Sequence, residues 1–506
     1  MASLPMNDDH VLDERLARYR ALRRELELAV LPLATSIDGR RFTFQAGLHG
    51  LELRLGGYIV LEHDGVARLG QVLELELGTQ AGTELALPAD GDTPVAMRSQ
   101  LMIRHARGSG VLLEGDGTPV HDATVRPATA AEVRAWLARE APRRASLAIG
   151  ELADAPGVPC TLDAGGFDRH TFLCGQSGSG KTYALGVLLE QLLLETELRI
   201  IILDPNSDFV RLAAVRPDVD ADTAARYAGA AKGISVHSAH DTGDQRLRLR
   251  LAELSTAAQA ALLRLDPIAD REEHAELDAL LAEDAPPTVA ALVASPRPEA
   301  QRLGLRARNL GVERFGLWAA GEAGSTLDAL HDRSARCVVV DLGSLGTRQE
   351  QALAAEAVLG RLWERRAERE PVLIVIDEAH NVCPALPEDP LTELATGHAV
   401  RIAAEGRKFG LYLAVSTQRP QKVHENVISQ CDNLVLMRLN SAADAAFAQS
   451  IFSFVPPSLI GQAATYGLGE ALVAGKISPD PALVRFGARV AEEGGSDVPA
   501  TWAAAR

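Results

Sequence analysis

The chain has 506 residues, 47% of them hydrophobic and 24% charged, with a formal net charge of −17. That length exceeds what one hydrophobic core organises, so two or three domains are expected, and the absence of any apolar run near the ~18 residues of a membrane span excludes an integral membrane protein. The acidity excludes a broadly basic surface, so any contact with DNA phosphates has to be local.

Residues 1–15 carry neither an apolar stretch behind a basic cluster nor an Arg-rich amphipathic run, which leaves the cytoplasm as the expected compartment. Cys160, Cys174, Cys337, Cys383 and Cys431 are odd in number, widely spaced and without a C-x-x-C pair, and read as reduced core residues. Residues 1–32 form a helical segment, with Leu12, Leu16, Tyr19, Leu22 and Leu26 on one stripe. Across 33–128 the pattern changes to short β-rich runs at 41–45, 51–55, 58–62, 71–77, 97–104 and 111–114, broken by glycine turns such as Asp64-Gly65. Strands of this length and spacing predict a small β-barrel.

Residues 129–166 read as a linker, a helix at 130–140 followed by a Pro- and Gly-containing stretch. The first part of the second domain's core spans 167–245: strand 170–174, a glycine turn, helix 181–195 and strand 199–203, which is a βαβ unit and implies a parallel sheet. Residues 246–332, rich in Ala, Leu, Arg and Glu, predict a helical insertion. The core resumes over 333–490 with strands at 337–342, 372–377, 411–418, 433–439, 471–474 and 482–487 and helices at 349–369 and 392–408, and 491–506 is a tail. The fold class is α/β: a mainly parallel P-loop core with a helical insertion and an N-terminal barrel.

The run Gly175-Gln176-Ser177-Gly178-Ser179-Gly180-Lys181-Thr182 fits G-x-x-x-x-G-K-[ST] with the required strand before and helix after. Its backbone N–H groups, with Tyr183 following, make the ATP-binding turn. Lys181 is placed for the β- and γ-phosphates, and Thr182 for Mg²⁺. The apolar run 372–376 ends in Asp377 and Glu378, suited to holding magnesium and to polarising the attacking water respectively. Gln418, ending the run 411–418, is placed to sense the γ-phosphate, with a turn residue as the bland alternative. Arg407 is the candidate arginine finger, although basic residues also favour helix C-termini. His380 and His398 lack further ligands at zinc spacing and are not taken as metal ligands. Asp204 and Asp208 either face the nucleotide or stabilise their loop.

Residues 398–440 hold six Arg or Lys against three Asp or Glu, a local excess in an acidic chain. Arg419, Lys422 and His424 follow the Gln418 strand and are the candidate DNA contacts, a solvated loop being the alternative.

From 170 to 485 the chain resembles the HerA branch of the HerA/FtsK ATPases. The resemblance rests on Gly175-Gln-Ser-Gly-Ser-Gly-Lys-Thr-Tyr183, Leu203-Asp-Pro-Asn-Ser-Asp-Phe209, Asp377-Glu-Ala-His380, Ala404-Glu-Gly-Arg-Lys-Phe-Gly410 and Ser416-Thr-Gln-Arg-Pro420, in that order. Where the family usually carries a Glu-Tyr pair this chain has Asp208-Phe209. The resemblance implies a RecA-like core preceded by a HerA-ATP-synthase-like barrel and a homohexameric ring that translocates double-stranded DNA. It further implies Arg407 acting in trans, and a nuclease or other effector docked on the barrel in DNA end processing or phage defence. A second reading is a scaffold ring in which ATP licenses effector assembly without productive translocation. No Leu-Ser-Gly-Gly-Gln or Asn-Lys-x-Asp run is present, which sets aside ABC ATPases and GTPases.

Overall fold

A computed structural model of the chain describes residues 8–86, 98–140, 145–281, 288–319 and 324–495. They fall into two compact units, one of Met1–Glu140 with Leu152–Val158, the other of Ala141–Glu151 with Pro159–Arg506.

In the first unit, a helix at Asp8–Leu28 precedes six strands: β1 (Leu33–Ser36), β2 (Arg41–Gly47), β3 (Tyr58–His63), β4 (Val66–Ala86), β5 (Arg98–Leu112) and β6 (Val120–Pro127). They close in the order β1-β2-β5-β4-β3-β6, and β6 returns to pair with β1. Strict alternation along β2 turns Phe42, Phe44 and Ala46 inward, where they meet Ile59, Leu61, Val72 and Val125. Glycine on β5 makes room for the two rings: a Cβ on Gly110 would lie 2.3 Å from Phe42 Cζ, and one on Gly108 2.6 Å from Phe44 Cε1.

The expected strand at 51–55 is irregular. Leu51, Leu53 and Leu55 alternate because they plug the barrel core, partly buried, without joining a ladder. The run at 97–104 and the first half of the run at 111–114 belong to one strand, β5, which ends at Leu112, with Met97 outside the described residues.

The second unit is built on an eleven-stranded sheet of β7 (Ser146–Leu152), β8 (Pro159–Asp163), β9 (His170–Cys174), β10 (Arg199–Asp204), β11 (Ile234–Ser238), β12 (Cys337–Asp341), β13 (Val372–Ile376), β14 (Leu411–Thr417), β15 (Cys431–Met437), β16 (Glu470–Gly475) and β17 (Ala482–Phe486). The order is β11-β12-β10-β13-β14-β9-β15-β16-β17-β7-β8. Every pairing from β11 to β15 is parallel, and the continuous apolar runs of β9, β12 and β13 are buried throughout, as strands covered on both faces must be.

The expected linker is a correction: its C-terminal half is the β7–β8 hairpin. Leu147, Ile149, Leu152, Cys160 and Leu162 are buried, and the glycine and proline residues that suggest a linker make the hairpin turn. β11, unassigned from sequence, is a half-buried edge strand whose Ile-Ser-Val-His-Ser run has too little apolar signal to read. Between 246 and 332 the described segments are helical, chiefly Thr256–Leu262, Arg271–Leu281, Val289–Ala294 and Pro298–Asn309. The five cysteines are buried and unpaired, and among the described residues no helix is long and apolar enough to cross a membrane.

Candidate active site

Parallel pairing brings the carboxyl ends of β9, β10, β13 and β14 to one edge, where loops carry side chains that the strands themselves cannot. β9 ends in Cys174, and the glycine turn follows with Gly178 at φ 73° and Gly180 at φ 92°, the left-handed conformations that glycine adopts without strain. The helix Lys181–Glu195 then starts with no side-chain cap, leaving its first N–H groups facing the turn. The turn is anchored by Gln176 N–H donating to Arg438 O (2.9 Å) and Gly469 N–H to Ser179 O (3.1 Å). Ser179 Oγ is buried and has no partner, as expected in a cradle for a polar ligand.

Lys181 is buried, and its Nζ donates to Asp377 Oδ1 (2.8 Å) and Ser416 Oγ (3.0 Å) and lies 3.3 Å from Glu378 Oε1. Burial opposes its charge, but Asp377 and Glu378 outweigh burial and hold the ammonium more firmly protonated than usual. Asp377 is fully buried, and its Oδ2 has no partner. Carboxylate oxygens of Asp204, Asp208 and Asp377 lie within 4.8 Å of one another, and Thr182 Oγ1 donates to Asp208 Oδ2 at 3.4 Å. Burial, and after it the Asp377 charge, pushes Asp208 up to about 6. Burial outweighs backbone donors and pushes Asp204 up to about 7. Three clustered carboxylates beside a hydroxyl form a donor set that a divalent cation fits, with Thr182, Asp208 and Asp377 placed to surround it. Asp204 serves both readings open from sequence: it belongs to the cluster and accepts from the N–H groups of Asn206, Asp208 and Phe209.

Glu378 is buried and left-handed (φ 40°, ψ 50°), a conformation that costs a non-glycine residue about 1–3 kcal/mol. Its Oε1 accepts from Gln418 Nε2 at 2.6 Å, while its Oε2 lies 3.2 Å from His380 Nδ1 and 3.4 Å from Gln418 N. Burial would raise its pKa, but His380, Lys181 and Gln418 together bring it down to about 2. The structure thus joins Lys181, Thr182, Asp377, Glu378 and Gln418. Tyr183 turns its hydroxyl to accept from Arg489 N (2.8 Å).

Arg407 is not brought to this group. It stands on the turn Gly406–Phe409 before β14, a strand length of roughly 20 Å from Gln418, and is paired with Asp432 (2.6 Å). Arg419 and Lys422 are exposed on the loop after β14, whereas His424 caps the short helix Glu425–Ile428 through its Nδ1, which explains that residue locally. His398 lies 3.5 Å from Glu356, and among the described residues neither histidine joins a metal-type cluster. Sequence reasoning missed the contacts of His380; its place directly after Asp377-Glu378-Ala379 was the available signal.

The family model "Helicase HerA, central domain" matches residues 147–285. The chain is 34% identical over 116 residues to the DNA double-strand break repair helicase HerA of Pyrococcus furiosus, covering 23% of this chain and 20% of that protein. It is 34% identical over 127 residues to the protein of the same description from Sulfurisphaera tokodaii, covering 25% of each. The matched region therefore spans a fifth to a quarter of these relatives' length. Among solved structures, VirB4 of Thermoanaerobacter pseudethanolicus aligns with a TM-score of 0.45 at 18% identity, covering 68% of this chain and 97% of that one.

Proposed function

Because the chain belongs to the HerA family of P-loop ATPases through its nucleotide-binding region, we propose that it is a motor that couples ATP hydrolysis to movement along double-stranded DNA. The observation that carries this is the joining of Lys181, Asp377, Glu378 and Gln418 at the carboxyl edge of the sheet. The glycine turn and Lys181 bind the phosphates, and Thr182, Asp208 and Asp377 hold the magnesium that screens phosphate charge. Glu378 takes the proton of the attacking water, and Gln418 reports whether a γ-phosphate is present.

Arg407 lies away from its own site, so in this reading it acts on a neighbouring subunit's ATP; the homohexameric ring is what the family resemblance implies. Its partner Asp432 is surface-accessible, and release from that pair frees the guanidinium for a neighbour's phosphates. The barrel is the HerA-ATP-synthase-like module that docks a nuclease or other effector in end processing or phage defence. Arg419 and Lys422 are the DNA contacts.

The net charge of −17 favours one rival, a scaffold ring whose ATP turnover answers to an effector and ignores DNA. Phosphate release measured with and without linear duplex separates the two. The motor is expected to accelerate on duplex, with a stimulation that falls steeply as salt rises because few cations make the contact. Turnover indifferent to duplex at low salt would favour the scaffold.

A further inference from the structure

Both oxygens of Glu378 are already engaged. Gln418 Nε2 and Lys181 face Oε1, and His380 Nδ1 (3.2 Å) and Gln418 N (3.4 Å) face Oε2, so each carboxylate oxygen already has two partners. Lys181 and Gln418 have reasons to leave, since both are placed to meet phosphate. His380 has none. Its Nδ1 also lies 3.1 Å from Thr417 Oγ1, the oxygen that accepts from Arg419 N at 3.0 Å. One short chain of polar contacts therefore runs from Glu378 through His380 and Thr417 to the backbone of the exposed basic loop. That loop is tied to the segment after His380 as well: Ala385 N–H donates to Lys422 O (2.8 Å) and His424 N–H to Cys383 O (3.0 Å). His380 also lines a cleft of about 580 Å³, shared with Asn206, Asn381, Pro384 and Leu386.

We infer that His380 is a positioning residue that latches Glu378 away from the attacking water and releases it when the Arg419–Lys422 loop is engaged. The inference rests on the reading of Glu378 as the base and of that loop as the DNA contact. DNA pulling on the loop also pulls the 383–385 segment bonded to it, which draws His380 Nδ1 off Oε2 and frees the Glu378 carboxylate to accept a proton. The latch makes unproductive hydrolysis slow when no track is bound.

The test compares His380→Ala, His380→Gln and His380→Asn in the full chain by phosphate release with and without linear duplex, with Glu378→Gln as the reference for the base. An asparagine amide nitrogen takes the place of Nδ1, whereas a glutamine amide nitrogen takes that of Nε2. His380→Ala and His380→Gln are expected to raise DNA-free turnover about tenfold, the factor for losing one hydrogen bond to a charged group, and to flatten the stimulation by duplex. His380→Asn is expected to keep the low DNA-free rate, which a merely structural role would not predict. An unchanged or lower DNA-free rate in His380→Ala, or His380→Asn no closer to wild type than His380→Gln, overturns the latch. If the alanine variant does not fold, the Asn–Gln contrast decides. Failures are separable: a wild type that ignores duplex while His380→Ala turns over faster keeps the latch and removes its DNA trigger, whereas stimulated wild type with a slow His380→Ala removes the latch alone.

Discussion

Glu378→Gln is expected to bind ATP as the wild type does and to hydrolyse it about 10²–10⁴-fold more slowly, the range for loss of a general base. The amide is nearly isosteric: its oxygen can accept from Gln418 where Oε1 does, while its nitrogen takes the place of Oε2 facing His380 Nδ1, so the left-handed backbone at residue 378 and the packing around it persist. What disappears is the group that takes a proton. Asp377, which pairs with Lys181 at 2.8 Å, is untouched, so the phosphate cradle remains. Equilibrium binding of a fluorescent ATP analogue and phosphate release on the same preparation separate the two effects. A variant that retains turnover within a few-fold would move the base elsewhere, and a variant that loses binding would make Glu378 part of the cradle.

The second large effect concerns stability. Glu190, on the helix that begins at Lys181, and Arg489 form an ion pair at 3.0 Å in which both side chains are about fully buried, 1% and 0% exposed. Glu190 also accepts from the N–H groups of Val490 (2.7 Å) and Ala491 (3.0 Å). Removing one partner of a buried pair costs about 3–5 kcal/mol, because the remaining charge is left without compensation. Glu190→Ala is expected to lie at the upper end of that range, since two backbone donors lose their acceptor as well. The companion double variant, Glu190→Leu with Arg489→Met, removes the orphaned charge but not the orphaned N–H groups, so it is expected to recover only part of the loss. Denaturant unfolding of the three proteins measures this; a Glu190→Ala midpoint equal to wild type would show that the pair contributes nothing net. The segment held by this pair donates Gly494 N–H to Asp208 O, so its release is also expected to loosen the carboxylate cluster.

How much of this was legible in the sequence follows the range of the interactions involved. The glycine turn and the apolar strand ending in Asp377-Glu378 are local: strand, turn and helix are contiguous, and their chemistry shows in residue type alone. The 51–55 run was misread because alternating leucines look the same whether they pair in a ladder or cap a barrel, and only Gly56 and Gly57 bonding to Val72 decides it. The β7–β8 hairpin was hidden because Pro159 and the nearby glycines mark a turn and a linker alike. The contact of His380 with Thr417 joins the ends of neighbouring strands β13 and β14, and the Arg407–Asp432 pair reaches across β9 from the start of β14 to β15, so both require the strand order β13-β14-β9-β15. Asp208, with an uncertain role in the sequence, becomes a cation-site candidate only because β10 lies beside β13.

The most direct test of the motor reading is displacement of a third strand from a triplex at the end of a linear duplex, with ATP, with a non-hydrolysable analogue and with Glu378→Gln. The account predicts ATP-dependent release by the wild type alone, with a lag that grows as the duplex ahead of the triplex is lengthened. Release without hydrolysis, or none under conditions where duplex accelerates phosphate release, would contradict a motor that moves along DNA.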